Sequence, residues 1–100
     1  MSQRISLSAE SRQDLREIVD YYEERQENLG QRFIHELVVV LERVVDRPGS
    51  FPNLYRDVRR ARFDHFPYGV FFRRDSEGVI RVIAIVHLHR HPRAWRGRRK

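Results

Sequence analysis

Residues 79–90 read VIRVIAIVHLHR, a run rich in β-branched residues, which favour strands. Successive side chains of a strand point to opposite faces of a sheet. One alternating set is wholly apolar and consists of Ile80, Val82, Ala84, Val86 and Leu88; the other is Arg81, Ile83, Ile85, His87 and His89. The apolar set predicts a face covered by helices, and the mixed set predicts an uncovered face, which we call the open face.

Two further strands are predicted just before this one, at residues 58–63 and 68–74. The four-residue segment DSEG at 75–78 joins the second of them to residues 79–90 as an antiparallel hairpin. Alternation places Ala61 and Phe63 toward the helices.

The same alternation gathers basic side chains on the open face, namely Arg60, Arg62, Arg81, His87 and His89. Because residues 70–72 form a continuous apolar run, the register of the middle strand stays undecided. Either Arg73 or Arg74 joins the open face.

The first half of the chain predicts a short strand and two amphipathic helices. Residues 3–7 have strand spacing, and Ser8 is an acceptable helix N-cap. Apolar residues recur every three or four positions in residues 9–28 and again in residues 33–45, where Pro48 and Gly49 stop the pattern. The break at Leu29 and Gly30 is short, which predicts an antiparallel helical hairpin.

The predicted fold class is therefore α+β. An N-terminal strand is followed by a two-helix antiparallel hairpin and a three-stranded antiparallel meander, with both helices on one face of the sheet. The length of 100 residues fits a single domain over 1–100.

Composition excludes several classes of protein. The chain has no cysteine, so disulfide scaffolds, thiolate zinc sites and cysteine nucleophiles are ruled out. No uninterrupted apolar run exceeds five residues, whereas a membrane-spanning helix needs about 20. Residues 1–7 do not resemble a secretory signal, so we expect a cytoplasmic protein.

Charge is distributed unevenly along the chain. Its 20 basic and 14 acidic residues give a net charge of +6, and 19 of the basic residues are arginine. Residues 1–55 carry 7 basic and 10 acidic residues, whereas residues 56–100 carry 13 and 4. Arginine suits phosphate and carboxylate groups, which predicts nucleic acid or an acidic protein segment as partner. The alternative is a soluble basic domain whose arginines only face water.

The sequence His87-x-His89-x-His91 places imidazoles at strand spacing and raises the question of a metal site. No carboxylate lies near it in sequence, and neighbouring arginines repel cations. We therefore expect neither a metal nor another cofactor.

The basic tail at residues 90–100 has six basic residues, no acidic one, and Trp95. Two alternatives stay open for it. The tail is either mobile, as charge runs often are, or a docked turn that anchors the indole and presents arginines.

Three spaced motifs carry a resemblance to a known family. They are VRRARF at 58–63, FPY at 66–68, and His87-x-x-Arg90-x-Pro92 followed by Trp95. With the order of elements, they resemble the RelE/ParE superfamily of toxins from type II toxin–antitoxin systems, and the ParE branch most closely.

The resemblance implies a toxin that a cognate antitoxin neutralises, in a complex that binds its own operator DNA. ParE-like members are associated with inhibition of DNA gyrase. RelE-like members instead cleave mRNA on the ribosome, for which the candidate catalytic residues would be Arg60, Arg81, His87 and Arg90. A second alternative is a non-toxic nucleic-acid-binding domain.

Two departures from the RelE pattern favour the gyrase hypothesis. No Tyr, Glu or Asp follows His91, and the middle strand has Phe71 and Phe72 where a tyrosine is common. The residues predicted to bind a partner or target are Arg60, Arg62, Arg74, Arg81, His87, His89, Arg90 and Trp95.

Overall fold

The computed structural model describes residues 4–98, which form one mixed sheet packed against two helices. The elements are β1 Ile5–Leu7, α1 Ala9–Arg25, α2 Leu29–Asp46, a short 3-10 turn Pro48–Ser50, β2 Asn53–Tyr55, β3 Val58–Arg62, β4 Tyr68–Arg74 and β5 Ile80–His87. The strand order is β1-β5-β4-β3-β2; β1 runs parallel to β5, and all other neighbours are antiparallel. The predicted α+β fold class is confirmed.

The two helices form the predicted hairpin and are capped by local side chains. Ser8 Oγ accepts a hydrogen bond from the Ser11 backbone N–H at 3.0 Å and so caps α1. The link between the helices turns at Asn28, whose φ of 72° is left-handed, and α1 therefore ends before the predicted residue 28. Glu23 of α1 accepts the N–H groups of Asn28 and Gly30 at 2.8 and 3.0 Å, so it caps the first turn of α2.

The main core lies between the helices and one face of the sheet. Helix residues Ile18, Phe33, Leu37, Val40 and Val44 pack there against Ala61, Phe63, Tyr68, Val70, Phe72, Ile80, Val82 and Ile85. The prediction that Ala61 and Phe63 face the helices is confirmed.

A β-bulge in β5 changes which residues share a face. Phe72 pairs with Val82 but Phe71 pairs with Ala84, so Ile83 is an extra residue. An extra residue shifts the alternation by one, and every later side chain changes face.

The predicted faces of β5 are therefore wrong from Ala84 onward, whereas Ile83 lies on the open face as predicted. Ile83, Ala84, Val86 and Leu88 lie in a second apolar cluster with Phe71 and Trp95 on the open face. Ile85 lies in the helix-side core. His87 lies two residues after Ile85 and so shares its face of the strand. It also pairs with Tyr68, a residue of that same core, so His87 lies on the helix side.

Several strand boundaries differ from the predictions, and β3 ends at Arg62 instead of residue 63. Strand β2 was not predicted, because a strand of three residues that are all exposed leaves no alternating apolar pattern in the sequence. Strand β5 ends at His87 rather than residue 90, since His91 donates its N–H to the His87 carbonyl in a turn. Of the predicted first strand, Gln3 lies outside the described residues.

The C-terminal strap, residues 92–98, crosses part of the open face. Trp95 is 6% exposed and stacks on Phe71 with ring centroids 5.1 Å apart, while its Nε1 donates to the Pro92 carbonyl at 3.0 Å. The docked-turn alternative is therefore confirmed up to Arg98, and the prediction of a fully uncovered face is wrong at its centre. Arg99 and Lys100 of the predicted basic tail lie outside the described residues.

No helix within residues 4–98 has the length and apolar character needed to cross a membrane.

Candidate functional site

Arg60 lies on the open face in a conformation that depends on a glycine. A side-chain Cβ at Gly69 would lie 3.2 Å from Arg60 Cγ and 3.2 Å from Leu88 Cδ2, so the Arg60 stem runs closely over the bare backbone of β4. Arg60 Nε is buried and has no hydrogen-bond partner among residues 4–98. The packing of its stem, and not an ion pair, therefore holds the Arg60 side chain in place.

Arg81 lies on the same face but is engaged within the protein. Its guanidinium contacts Asp75 Oδ2 at 3.0–3.1 Å and donates to Ser6 Oγ at 3.1 Å. Asp75 also accepts the N–H groups of Val79 and Glu77, and these bonds, that of Val79 first, lower the pKa of its carboxyl. Arg81 thus ties the β4–β5 turn to β1.

The choice between Arg73 and Arg74 is settled by the pairing of β4. Arg73 lies on the open face, near Trp95, and its Nε contacts Asp57 Oδ2 at 3.1 Å. Arg74 shares the helix-side alternation of Phe72. Placing Arg74 with the open-face site is therefore wrong, whereas the exposed Arg62 lies there beside Arg60.

His87 and Arg90 line a separate depression, which we call the His87 groove. Its volume is about 240 Å³, and it lies between α1 and the end of β5. The lining residues are Asp14, Glu17, Ile18, Tyr21, Tyr68, Ile85, Val86, His87, Arg90, His91 and Ala94. The rings of His87 and Tyr68 have centroids 5.1 Å apart.

Burial and neighbouring charges shift the pKa values of Tyr68, Tyr21 and His87 in this groove. Burial raises the pKa of Tyr68 to about 12. The guanidinium of Arg25, and after it that of Arg90, lowers the pKa of Tyr21; the two guanidinium carbons lie 4.1 and 5.9 Å from its ring centroid. Burial, and next the charge of Arg90, lowers the pKa of His87.

The neutral His87 ring has a defined orientation. Its Nδ1 accepts the N–H groups of His89 and Arg90 at 3.2 and 3.0 Å. Because Nδ1 is an acceptor in the neutral ring, Nε2 carries the proton. The His87 imidazole therefore caps the turn after β5, and His89 lies in that turn instead of on a strand face.

This arrangement predicts a pH-dependent stability. The pKa of His87 is lower in the folded than in the unfolded chain, so the folded state binds fewer protons and loses stability as the pH falls below about 6.5. His87→Asn keeps a side-chain acceptor near the Nδ1 position but does not titrate. We expect urea denaturation to show the wild type losing stability relative to His87→Asn between pH 7 and pH 5; a constant difference over that range would contradict the role of His87.

The predicted site residues therefore occupy two surfaces. Arg60, Arg62 and Arg81 share the open face, whereas His87 and Arg90 belong to the groove beside α1. Grouping His87 and His89 with the open-face arginines is wrong because the bulge reverses the alternation and the strand ends at His87. Trp95 belongs to the strap, and its ring packs against Phe71 and is 6% exposed, so it is an anchor of the strap more than a contact residue.

No set of three histidine or carboxylate side chains that could hold a metal ion occurs within residues 4–98.

Comparisons with known proteins agree with this fold. The family described as "ParE toxin of type II toxin-antitoxin system, parDE" matches residues 5–92. The chain belongs to this ParE toxin family. No curated protein shows significant sequence similarity to this chain.

A solved structure resembles this ParE-family chain over most of its length. It comes from the "Chromosomal ParDE TA system from P. aeruginosa", with a TM-score of 0.71 and 18% sequence identity. The match covers 86% of this chain and 98% of the other. At that identity, the likeness supports the ParE-like fold.

Three residues that line the His87 groove of this ParE-family chain were not predicted from the sequence. Tyr68 belongs to the FPY motif but was not identified as lining a site. Nothing in the sequence links Tyr21 to Arg90, 69 positions away along the chain. The role of Asp14 could not be predicted from the sequence, because its partners Ile85 and Arg98 are far from it along the chain.

Proposed function

We propose that this ParE-family chain is the toxin of a type II toxin–antitoxin module, that it arrests growth by inhibiting DNA gyrase, and that a cognate antitoxin neutralises it. The toxin acts as a binding protein in this proposal. The complex with the antitoxin binds operator DNA.

The position of His87 is the observation that favours gyrase inhibition over RNA cleavage. Cleavage by a ribose 2′-hydroxyl needs a proton acceptor next to cations that stabilise the phosphate. The Nδ1 atom of His87 is occupied by two backbone N–H groups, and Arg60 lies across the sheet from the His87 groove. This separation of imidazole and arginine favours a role in binding.

Arg90 is the residue that we assign to the target contact in the His87 groove. It is exposed, has no carboxylate partner among residues 4–98, and lies near the Tyr21 ring. A guanidinium held beside an aromatic ring, without a carboxylate, is ready to accept an acidic group from a partner.

Exposed apolar side chains on α2 and β2 are available to the antitoxin. Val38 and Val39 of α2 are 48% and 45% exposed. Strand β2 is an edge strand, with Leu54 and Tyr55 exposed. Such features suit a segment that docks by helix-in-groove packing or by strand addition.

A supercoiling assay tests the proposed target. We expect the purified chain at stoichiometric excess to inhibit gyrase supercoiling of relaxed plasmid. Arg90→Glu should lose most of this inhibition with an unchanged circular dichroism spectrum. Arg16→Glu, which makes the same charge change at an exposed site of α1, should keep it.

Other outcomes would identify a different function. Unaffected supercoiling at excess toxin would overturn the gyrase proposal. New mRNA ends in toeprinting on translating ribosomes would establish RelE-like cleavage instead. Normal growth on expression without an antitoxin would favour a harmless nucleic-acid-binding domain.

A further inference from the structure

A second cavity lies on the open face, away from the His87 groove. Its volume is about 600 Å³, within the range typical of small-ligand sites. It lies between the β2–β3 turn and the C-terminal strap. Val58 and Trp95 give it an apolar part, and the turn and the strap supply its rim. We call it the strap cavity.

Guanidinium groups dominate the charge of the strap cavity. Its lining includes Arg56, Arg73, Arg96 and Arg98 but a single carboxylate, that of Asp57. Arg73 is paired with Asp57, and Arg98 is paired with Asp14 of α1. Neither Arg56 nor Arg96 has a carboxylate partner among the residues from 4 to 98.

The two unpaired arginines are held beside aromatic rings. The Arg56 guanidinium carbon lies 5.2 Å from the Tyr55 ring centroid, and that of Arg96 lies 5.5 Å from the Trp95 centroid. Such contacts orient a guanidinium while leaving its N–H donors free. The cavity therefore has two partly ordered forks that suit the oxygens of a phosphate.

The backbone at Arg56 adds an independent observation. Arg56 has a φ of 54°, in the left-handed region where Gly, Asn and Asp are preferred for two-residue hairpin turns. A non-glycine residue in this region carries a cost of about 1 kcal/mol or more. An arginine at this position of the β2–β3 turn points to a use for its side chain.

Tyr55 narrows the class of ligand. Tyr55 is 54% exposed at the edge of the cavity, where a planar base can stack on its ring beside the Arg56 guanidinium. An inorganic anion or an acidic side chain has no planar aromatic surface that could stack on this exposed ring.

We propose that the strap cavity binds a nucleotide, with its phosphates on Arg56 and Arg96 and its base on Tyr55. This site is separate from the groove to which gyrase inhibition is assigned. The proposed nucleotide would account for two of the many arginines in residues 56–100.

Titration of the full chain with ADP tests the proposal. Trp95 is the only tryptophan and lines the cavity, so its fluorescence, excited away from ADP absorbance, reports binding directly. We expect a saturable signal and an affinity that falls about tenfold or more in Arg56→Ala and in Arg96→Ala, because each loses a charge-assisted phosphate contact. Calorimetry gives the affinities where a substitution perturbs Trp95 itself.

A matched control variant distinguishes binding in the strap cavity from general electrostatic attraction to a basic protein. Arg62→Ala removes the same charge from the same face outside the cavity and should retain ADP affinity within about twofold. Equal losses in all three variants, or no saturable binding of ADP, would overturn the proposal. Pyrophosphate binding as tightly as ADP would also overturn it, in favour of a simple anion site. A short single strand that competes with ADP, and binds more tightly than it, would support the site and identify the nucleotide as part of a strand.

Discussion

Replacing Asp14 with alanine should destabilise the protein by about 3 kcal/mol and release the C-terminal strap. The Asp14 carboxylate accepts from Arg98 at 2.6 and 3.2 Å and from the Ile85 N–H at 3.0 Å. The Asp14 and Arg98 side chains are 17% and 19% exposed. Loss of Asp14 therefore leaves a largely buried guanidinium without its partner and a strand N–H without an acceptor, each of which is costly.

Two measurements check this expectation. Urea denaturation gives the change in the free energy of unfolding, and the emission maximum of Trp95 should move to the red as the ring leaves Phe71. Glu10→Ala is the control, because Glu10 lies 3.9 Å from the same Arg98 but is 60% exposed; it should cost less than about 0.5 kcal/mol. Equal effects of the two substitutions would show that the pair with Asp14 does not hold the strap.

The importance of Asp14 follows from where β1 ends. Strand β1 stops at Leu7, so the edge of β5 beyond Val82 has no strand beside it. Side chains of α1 supply the hydrogen bonds that a neighbouring strand would otherwise make. Ser11 Oγ donates to the Val82 carbonyl at 3.2 Å, and Asp14 accepts from the Ile85 N–H. Ser11 is fully buried for this reason. A buried serine in an amphipathic helix is thus explained by a strand edge that needs hydrogen-bond partners.

The sequence predicts the elements of this fold because apolar periodicity is a local property. The helices and the three longest strands were identified with errors of a few residues at their ends. The open face was misjudged because one added residue, Ile83, reverses the alternation of β5, and a bulge within an apolar run leaves no trace in the pattern. His87 was assigned to the wrong surface for this reason alone.

The sites were less predictable than the fold because their members meet only through long-range contacts. The His87 groove joins Tyr21 of α1 to Arg90 after β5, and the strap cavity joins the β2–β3 turn to residues 95–98. Composition indicated correctly that arginine would line the surfaces of the second half. It could not indicate that Arg81 is held by Asp75, while Arg56 keeps its donors free.

Gly30→Ala should destabilise the helical hairpin by about 2 kcal/mol, although alanine is the better helix former by about 1 kcal/mol. A Cβ at Gly30 would lie 2.9 Å from both Cγ1 and the backbone oxygen of Val19, and 3.0 Å from Glu23 Oε1. The Val19 carbonyl belongs to the α1 backbone and cannot rotate away, so the helices must separate. Displacing Glu23 also removes the cap from the first turn of α2.

Gly49→Ala provides the matched comparison for this prediction. A Cβ at Gly49 meets no atom within 4 Å, so the substitution only restricts the unfolded chain and should leave stability unchanged or raise it by less than about 1 kcal/mol. Thermal and urea denaturation of both variants measure the contrast, and Gly30→Val should be less stable than Gly30→Ala because its larger side chain meets the same fixed carbonyl. If Gly30→Ala is as stable as Gly49→Ala, the helices do not approach each other as closely as described, and helix propensity outweighs packing at this crossing.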